Sequence, residues 1–121
     1  MASIHSPRFL RLCQQAQAEV VEVSAADFER ELETRQELLS SGREPPPLYF
    51  LDVREDHEWL AERIAGSTHL GRGILERDIE KLVPDPETDI VLYCGGGYRS
   101  ALAASSLGKM GYTRVRSLAG G

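Results

Sequence analysis

The chain has 121 residues, which suits one domain with a single core and no need of covalent staples. A net charge of −5 argues against nucleic acid and against anionic membrane surfaces as partners. The composition, 41% hydrophobic and 27% charged, is that of an ordinary soluble globular protein; no apolar run approaches the roughly 20 residues that span a bilayer, and the start lacks the pattern of a secretion signal.

In chain order, Phe9, Leu12, Cys13, Ala16 and Val20 recur at helical spacing and predict a short amphipathic helix over 7–18. The alternation in "VVEV" predicts a strand at 20–23. Ser24, followed three residues later by Asp27, resembles a capping box. It opens a helix with Phe28, Leu32 and Leu39 as its buried stripe and Gly42 as its stop. "REPPP" at 43–47 is a surface linker. "LYFLDV" at 48–53 reads as a strand buried on both faces. "EDHEWLAER" gives a short helix and "STHL" at 67–70 a brief strand. "GILERDIEKLV" places Leu75, Ile79, Leu82 and Val83 on one helical face, and "PDPETD" is a turn. "DIVLYC" at 89–94 is a second strongly apolar strand, "SALAASSLGKMG" a helix of small residues ended by Gly111, and "TRVRSL" a last strand. Strands alternating with helices predict parallel βαβ units in an α/β domain. A further helix is expected beyond "SLAGG" to cover the sheet, so the C-terminal end reads as truncated.

The stretch "YCGGGYRS" at 93–100 carries the chemistry. Cys94 falls at the C-terminal end of a buried strand just before a helix, the edge where open α/β sheets place their ligands. Gly95, Gly96 and Gly97 let the backbone curl so that successive N–H groups point inward and form an anion-binding nest. The helix N-terminus adds about half a positive charge, and Arg99 a full one. Such a setting stabilises a thiolate and holds an anion against it. Cys13 has no glycines and no cradle, and reads as a core residue. Two cysteines and three scattered histidines offer neither a disulfide framework nor a metal-ligand spacing, so no metal and no organic cofactor are expected, in a reducing cytoplasm.

With "LDVRE" (51–55), "ERIAGSTHL" (62–70), "YCGGGYRSALAASSL" (93–107) and "GYTRVRSLAGG" (111–121), the chain resembles a single-domain rhodanese, a sulfurtransferase, over about residues 20–121. Residues 1–19 stand outside as a helical extension. The resemblance implies a rhodanese-like fold, a central five-stranded parallel sheet flanked by helices. It implies Cys94 as the nucleophile that carries a persulfide, with the amides of Gly95, Gly96, Gly97, Tyr98 and Arg99 binding the outer sulfur or the incoming anion. The donor is expected to be a small sulfur-containing anion such as thiosulfate, and the acceptor a thiol, a protein or, in an assay, cyanide. Arg72, in the glycine-flanked "LGRGILE", is expected to overlook the pocket and contact the anionic donor. Asp52, Arg54 and Ser100 are expected as supporting residues, Asp52 by pairing with Arg54 or with loop amides. His57 and His69 are not needed as bases, because a preformed thiolate needs none.

Phosphatase relatives of the family have a loop with one more residue between Cys and Arg. Only four lie between Cys94 and Arg99, which suits a sulfur atom better than a phosphate. The chain departs from the family where Gly-His-Ile-Pro-Gly-Ala is usual: here Glu62-Arg63-Ile64-Ala65-Gly66-Ser67 stand, a change expected to be structural. The alternatives are a persulfide relay to a protein acceptor and a non-catalytic docking module. Modules that lose the reaction typically lose the cysteine, which is present here.

Overall fold

Strands and helices alternate through residues 5–120, the part of the chain that the computed structural model describes. The first four residues of the expected N-terminal extension, and the terminal Gly121, lie outside the described residues. Helix α1 (Pro7–Glu19) has proline in its first turn, where the missing N–H costs nothing. After β1 (Val21–Val23), Ser24 caps α2 (Ala25–Ser40): its Oγ accepts from the Asp27 amide at 3.1 Å. Gly42, at φ 75°, stops the helix. Then follow β2 (Leu48–Asp52), α3 (Asp56–Ala61), β3 (Thr68–His69), α4 (Leu75–Leu82), β4 (Asp89–Tyr93), α5 (Tyr98–Lys109) and β5 (Val115–Leu118).

The five strands form one sheet in the order β1-β5-β4-β2-β3, with every pairing parallel. The apolar runs at 48–53 and 89–94 therefore become the central strands β2 and β4, as their lack of polar alternation requires. Successive side chains of β4 point to opposite faces. Ile90, Leu92 and Cys94 join the cluster that holds Leu75, Ile79, Val83, Ala103, Ala104 and Leu107. Val91 and Tyr93 join Phe28, Phe50 and Leu118 on the other face. The strand's own period thus puts Cys94 on the side of the sheet that α5 covers.

Two expectations about buried stripes are corrected. In α2 only Phe28 is buried, while Leu32 and Leu39 are exposed. The inward face instead runs through Phe28, Glu31, Arg35 and Leu38 at helical spacing, with Glu31 bonded to Arg116 of β5, so Leu32 and Leu39 fall to the side of it. In α1, Cys13 and Ala16 pack inward and Leu12 faces solvent. Helix α5 also begins at Tyr98, two residues before the expected Ser100, so Tyr98 and Arg99 belong to its first turn.

Leu92 is fully buried at the middle of the central strand. Leu92→Ala is expected to cost about 2–5 kcal/mol, read as a lower midpoint in urea at an unchanged slope.

Candidate active site

Cys94 follows directly on β4, and the next residues must turn the chain into α5. Gly97 makes that turn as the residue before the helix, at φ 86°. A Cβ there would also come within 3.0 Å of the Gly120 amide nitrogen, so glycine is required twice over. The turn brings the backbone N–H groups of Gly97 and Ser100 to 3.2 and 3.3 Å from Cys94 Sγ. Ser100 Oγ lies 3.5 Å from the same sulfur, and Ser117 Oγ of β5 lies 2.8 Å behind it. The amides of Tyr98 and Arg99 sit in the first helical turn, where no intrahelical acceptor is available, and stay open to a ligand.

Burial alone pushes the Cys94 thiol up, because Cys94 is 3% exposed. The Ser100 hydroxyl and the amides of Gly96, Ser100 and Gly97 more than offset this and hold the thiol below the ordinary cysteine range. Cys13 goes the other way: burial pushes its thiol up, and the charge of Cys94 adds to the rise. The two thiols are thus shifted in opposite directions, Cys94 toward the thiolate and Cys13 away from it.

The Asp52–Arg54 pair closes the neighbouring strand end. Asp52 is fully buried and accepts from the Arg54 amide at 2.8 Å, from Nε at 3.0 Å and from Nη2 at 2.7 Å. Burial pushes the Asp52 carboxyl up, and these Arg54 bonds outweigh it and hold the group below its usual value. Arg54 Nη2 also donates to the Glu62 carbonyl at 2.6 Å, and the guanidinium lies 5.7 Å from the Tyr93 ring centroid. Tyr93 Oη accepts from the Ile64 amide at 3.2 Å and meets Ser67 Oγ at 3.0 Å. Segment 62–67 is thereby tied to β2 and β4, and its residues wall the hollow above Cys94. That hollow encloses about 300 Å³, between Arg54, Glu62, Arg63, Ile64, Tyr93, Cys94 and Gly95. A larger one of about 600 Å³ lies at the opposite end of the sheet, beside Leu48, Asp89 and Arg114, and holds no nucleophile.

The expected site residues divide. Cys94, Gly95, Gly96, Gly97 and Ser100 form the loop around the sulfur, and Asp52 with Arg54 stands beside it. Arg99 turns across the mouth to Glu58 of α3, with Nη1 3.0 Å from both carboxylate oxygens. Tyr98 packs edge-on against the rings of His5 and Phe9, at 5.1 and 6.2 Å. Arg72 is not brought to the pocket. It pairs with Glu76 at 2.7 Å and reaches Ser106 at 3.2 Å, beside the groove between α1 and α5. Its glycine-flanked position suggested freedom, but a carboxylate one helical turn on satisfies it. Residues not expected at the site are Arg63 and Ile64, in a stretch read from sequence as structural, together with Glu58 and Ser117, which the sequence reading did not single out. Among the described residues no three His, Cys, Asp or Glu side chains gather to hold a metal ion. No described helix is long and apolar enough to cross a membrane.

Comparison with known proteins places this geometry. The family described as Rhodanese-like domain matches residues 27–121. The thiosulfate sulfurtransferase PspE of Escherichia coli is 29% identical over 72 residues, 60% of this chain and 69% of that protein. An E. coli rhodanese structure with anions superposes with a TM-score of 0.57 at 31% identity, covering 62% of this chain and 87% of that one. A Rhodopseudomonas palustris protein of unknown function, described as a possible tyrosine phosphatase, superposes with a TM-score of 0.71 at 28% identity, covering 100% of this chain and 90% of the other.

Two measurements test the electrostatics. Alkylation of Cys94 by iodoacetamide is expected to titrate below the pH of about 8.5 typical of a free thiol, and Ser100→Ala to move the midpoint up; a wild-type midpoint at or above that value contradicts the cradle. Asp52→Asn, which leaves Arg54 without its buried partner, is expected to lose about 3 kcal/mol at neutral pH. Because the folded carboxyl is depressed, its stabilisation is present above the unfolded pKa of about 3.9. The gap between wild type and variant in urea denaturation should therefore shrink as the pH falls below that value.

Proposed function

The chain belongs to the rhodanese-like domain family, and from that premise we propose that it transfers sulfane sulfur through a persulfide on Cys94. The observation that carries the reading is the convergence of two backbone amides and a hydroxyl on a buried sulfur at the floor of an open hollow. In the first step the Cys94 thiolate attacks the outer sulfur of a donor such as thiosulfate. The S–S bond of the donor breaks, its electron pair leaves with sulfite, and the new bond joins Sγ to the transferred sulfur. In the second step an acceptor thiolate, or cyanide, attacks that outer sulfur and Cys94 leaves as the thiolate. No proton and no outside oxidant is needed in either step. The negative charge passes from Sγ to the outer sulfur, toward the open amides of Tyr98 and Arg99. A well-placed donor of this kind is commonly worth about 3 kcal/mol. The covalent intermediate implies ping-pong kinetics. The physiological acceptor we propose is a small thiol or a protein thiol.

The phosphatase-like neighbour favours a second reading, attack of Cys94 on a phosphate ester. The loop speaks against it. Only four residues lie between Cys94 and Arg99, and the Gly97 and Ser100 amides are already engaged by Sγ itself, which leaves the loop fewer free donors for the oxygens of a phosphate.

Incubation with thiosulfate is expected to raise the intact mass by one sulfur atom. The gain should be lost with cyanide and absent in Cys94→Ser. A wild type that gains no sulfur from thiosulfate, glutathione persulfide or mercaptopyruvate overturns the sulfur-transfer reading. Hydrolysis of an aryl phosphate that depends on Cys94 would put the phosphatase in its place.

A further inference from the structure

Four arginines, Arg54, Arg63, Arg72 and Arg99, stand on the segments between β2 and the first turn of α5 outside α3 and α4, and three are paired with carboxylates. Arg54 is paired with Asp52 at 2.7 Å, Arg72 with Glu76 at 2.7 Å and Arg99 with Glu58 at 3.0 Å. Arg63 has no carboxylate within ion-pair distance among the described residues, and it lines the hollow above Cys94. Its guanidinium lies 4.4 Å from the centroid of the Trp59 ring. Trp59 stacks on His69, with centroids 5.1 Å apart and planes 11° apart. His69 Nε2 in turn lies 2.9 Å from the Arg54 carbonyl. The backbone is pinned on both sides of Arg63, through the Glu62 carbonyl to Arg54 and the Ile64 amide to Tyr93. The guanidinium of this lining residue thus rests on a stack of rings rather than against an opposing charge.

We propose that Arg63 is the anion-recruiting and specificity-determining residue of the site, and that it selects donors whose departing half is anionic. The identity of the ligand as a sulfane donor rests on the sulfur-transfer reading above. Displacement at sulfur is in line, so the departing group lies opposite Sγ, toward the mouth of the hollow and not toward the loop. The loop amides hold the sulfur that stays, and the charge that leaves faces the rim. Arg99, already bonded to Glu58 through Nη1, offers less there. Glu62 shares the rim and likewise has no ion-pair partner among the described residues, so it opposes Arg63 and supplies an internal control.

The test is alkylation of Cys94 by iodoacetate, an anion, in parallel with neutral iodoacetamide, read by peptide mass spectrometry. The neutral reagent normalises for folding and for the thiolate population. Arg63→Gln is expected to lower the iodoacetate-to-iodoacetamide rate ratio about threefold to tenfold at low salt, and the difference should narrow in about 0.5 M salt. Arg63→Lys should keep most of the ratio, and Glu62→Gln should raise it. The kcat/KM for thiosulfate should follow the same order. An unchanged ratio in Arg63→Gln, or an equal fall in Glu62→Gln, overturns the proposal. The readout does not depend on sulfur transfer. Persulfide formation in the wild type with an unchanged ratio removes Arg63 alone. A lowered ratio in a protein that takes sulfur from no donor keeps the anion role and overturns the sulfane donor as its ligand.

Discussion

The Cys94 sulfur is buried at the floor of a hollow, where a thiolate would have almost no water to solvate it, and the surrounding structure answers that constraint. Taking an unpaired charge out of water costs several kcal/mol even after the protein relaxes. The Cys94 sulfur recovers that cost from fixed backbone dipoles at 3.2 and 3.3 Å. Such donors cannot be supplied by flexible side chains. They require the chain to turn sharply at Gly97 and α5 to begin immediately after it, with the Gly120 nitrogen, beyond β5, 3.0 Å from where a Cβ would stand. The Ser100–Ser117 contact ties the first turn of α5 to β5, so the sulfur, the helix and two neighbouring strands are fixed as one unit.

Charge is used with similar economy. The chain is acidic overall, at −5, so an anion site cannot come from surplus basic residues. Arg54 and Arg99 are each matched by a carboxylate, and Arg54 also orients backbone. Its Nη2 donates both to buried Asp52 and to the Glu62 carbonyl, which sets the wall of the hollow. The local positive potential is left to the loop amides, the end of α5 and Arg63.

Much of this was legible in the sequence because it rests on local rules. Alternation marked β1, and unbroken apolar runs marked β2 and β4. Ser24 and Gly42 marked the ends of α2, and a cysteine followed by three glycines marked the loop. What was not legible depends on distance across the fold. Nothing near Arg72 in sequence says that Ser106 will take one end of its guanidinium, or that it will lie beside the groove between α1 and α5. Nothing near Arg99 announces Glu58, 41 positions earlier. The departures at 62–67 read as structural substitutions, and the backbone bonds of Glu62 and Ile64 are indeed structural. The side chain of Arg63 between them is not, and only the placement of Trp59 beneath it makes that visible.

The same reasoning gives residues before the family match a physical place. Cys13 and Ala16 of α1 are buried where α1 packs along α5, and His5 and Phe9 close on Tyr98 in the first turn of that helix. Glu19 reaches Ser105 at 3.3 Å near its other end. Helix α5 is built largely of alanine, serine and glycine on its packed faces, which lets neighbours approach closely but gives it little apolar bulk of its own. A helix of that composition is held in place by what covers it. Because its N-terminal amides set the charge state of Cys94, the packing of α1 on one side and of the sheet on the other bears directly on the sulfur, although neither α1 nor the β4 side chains of the opposite face touch it.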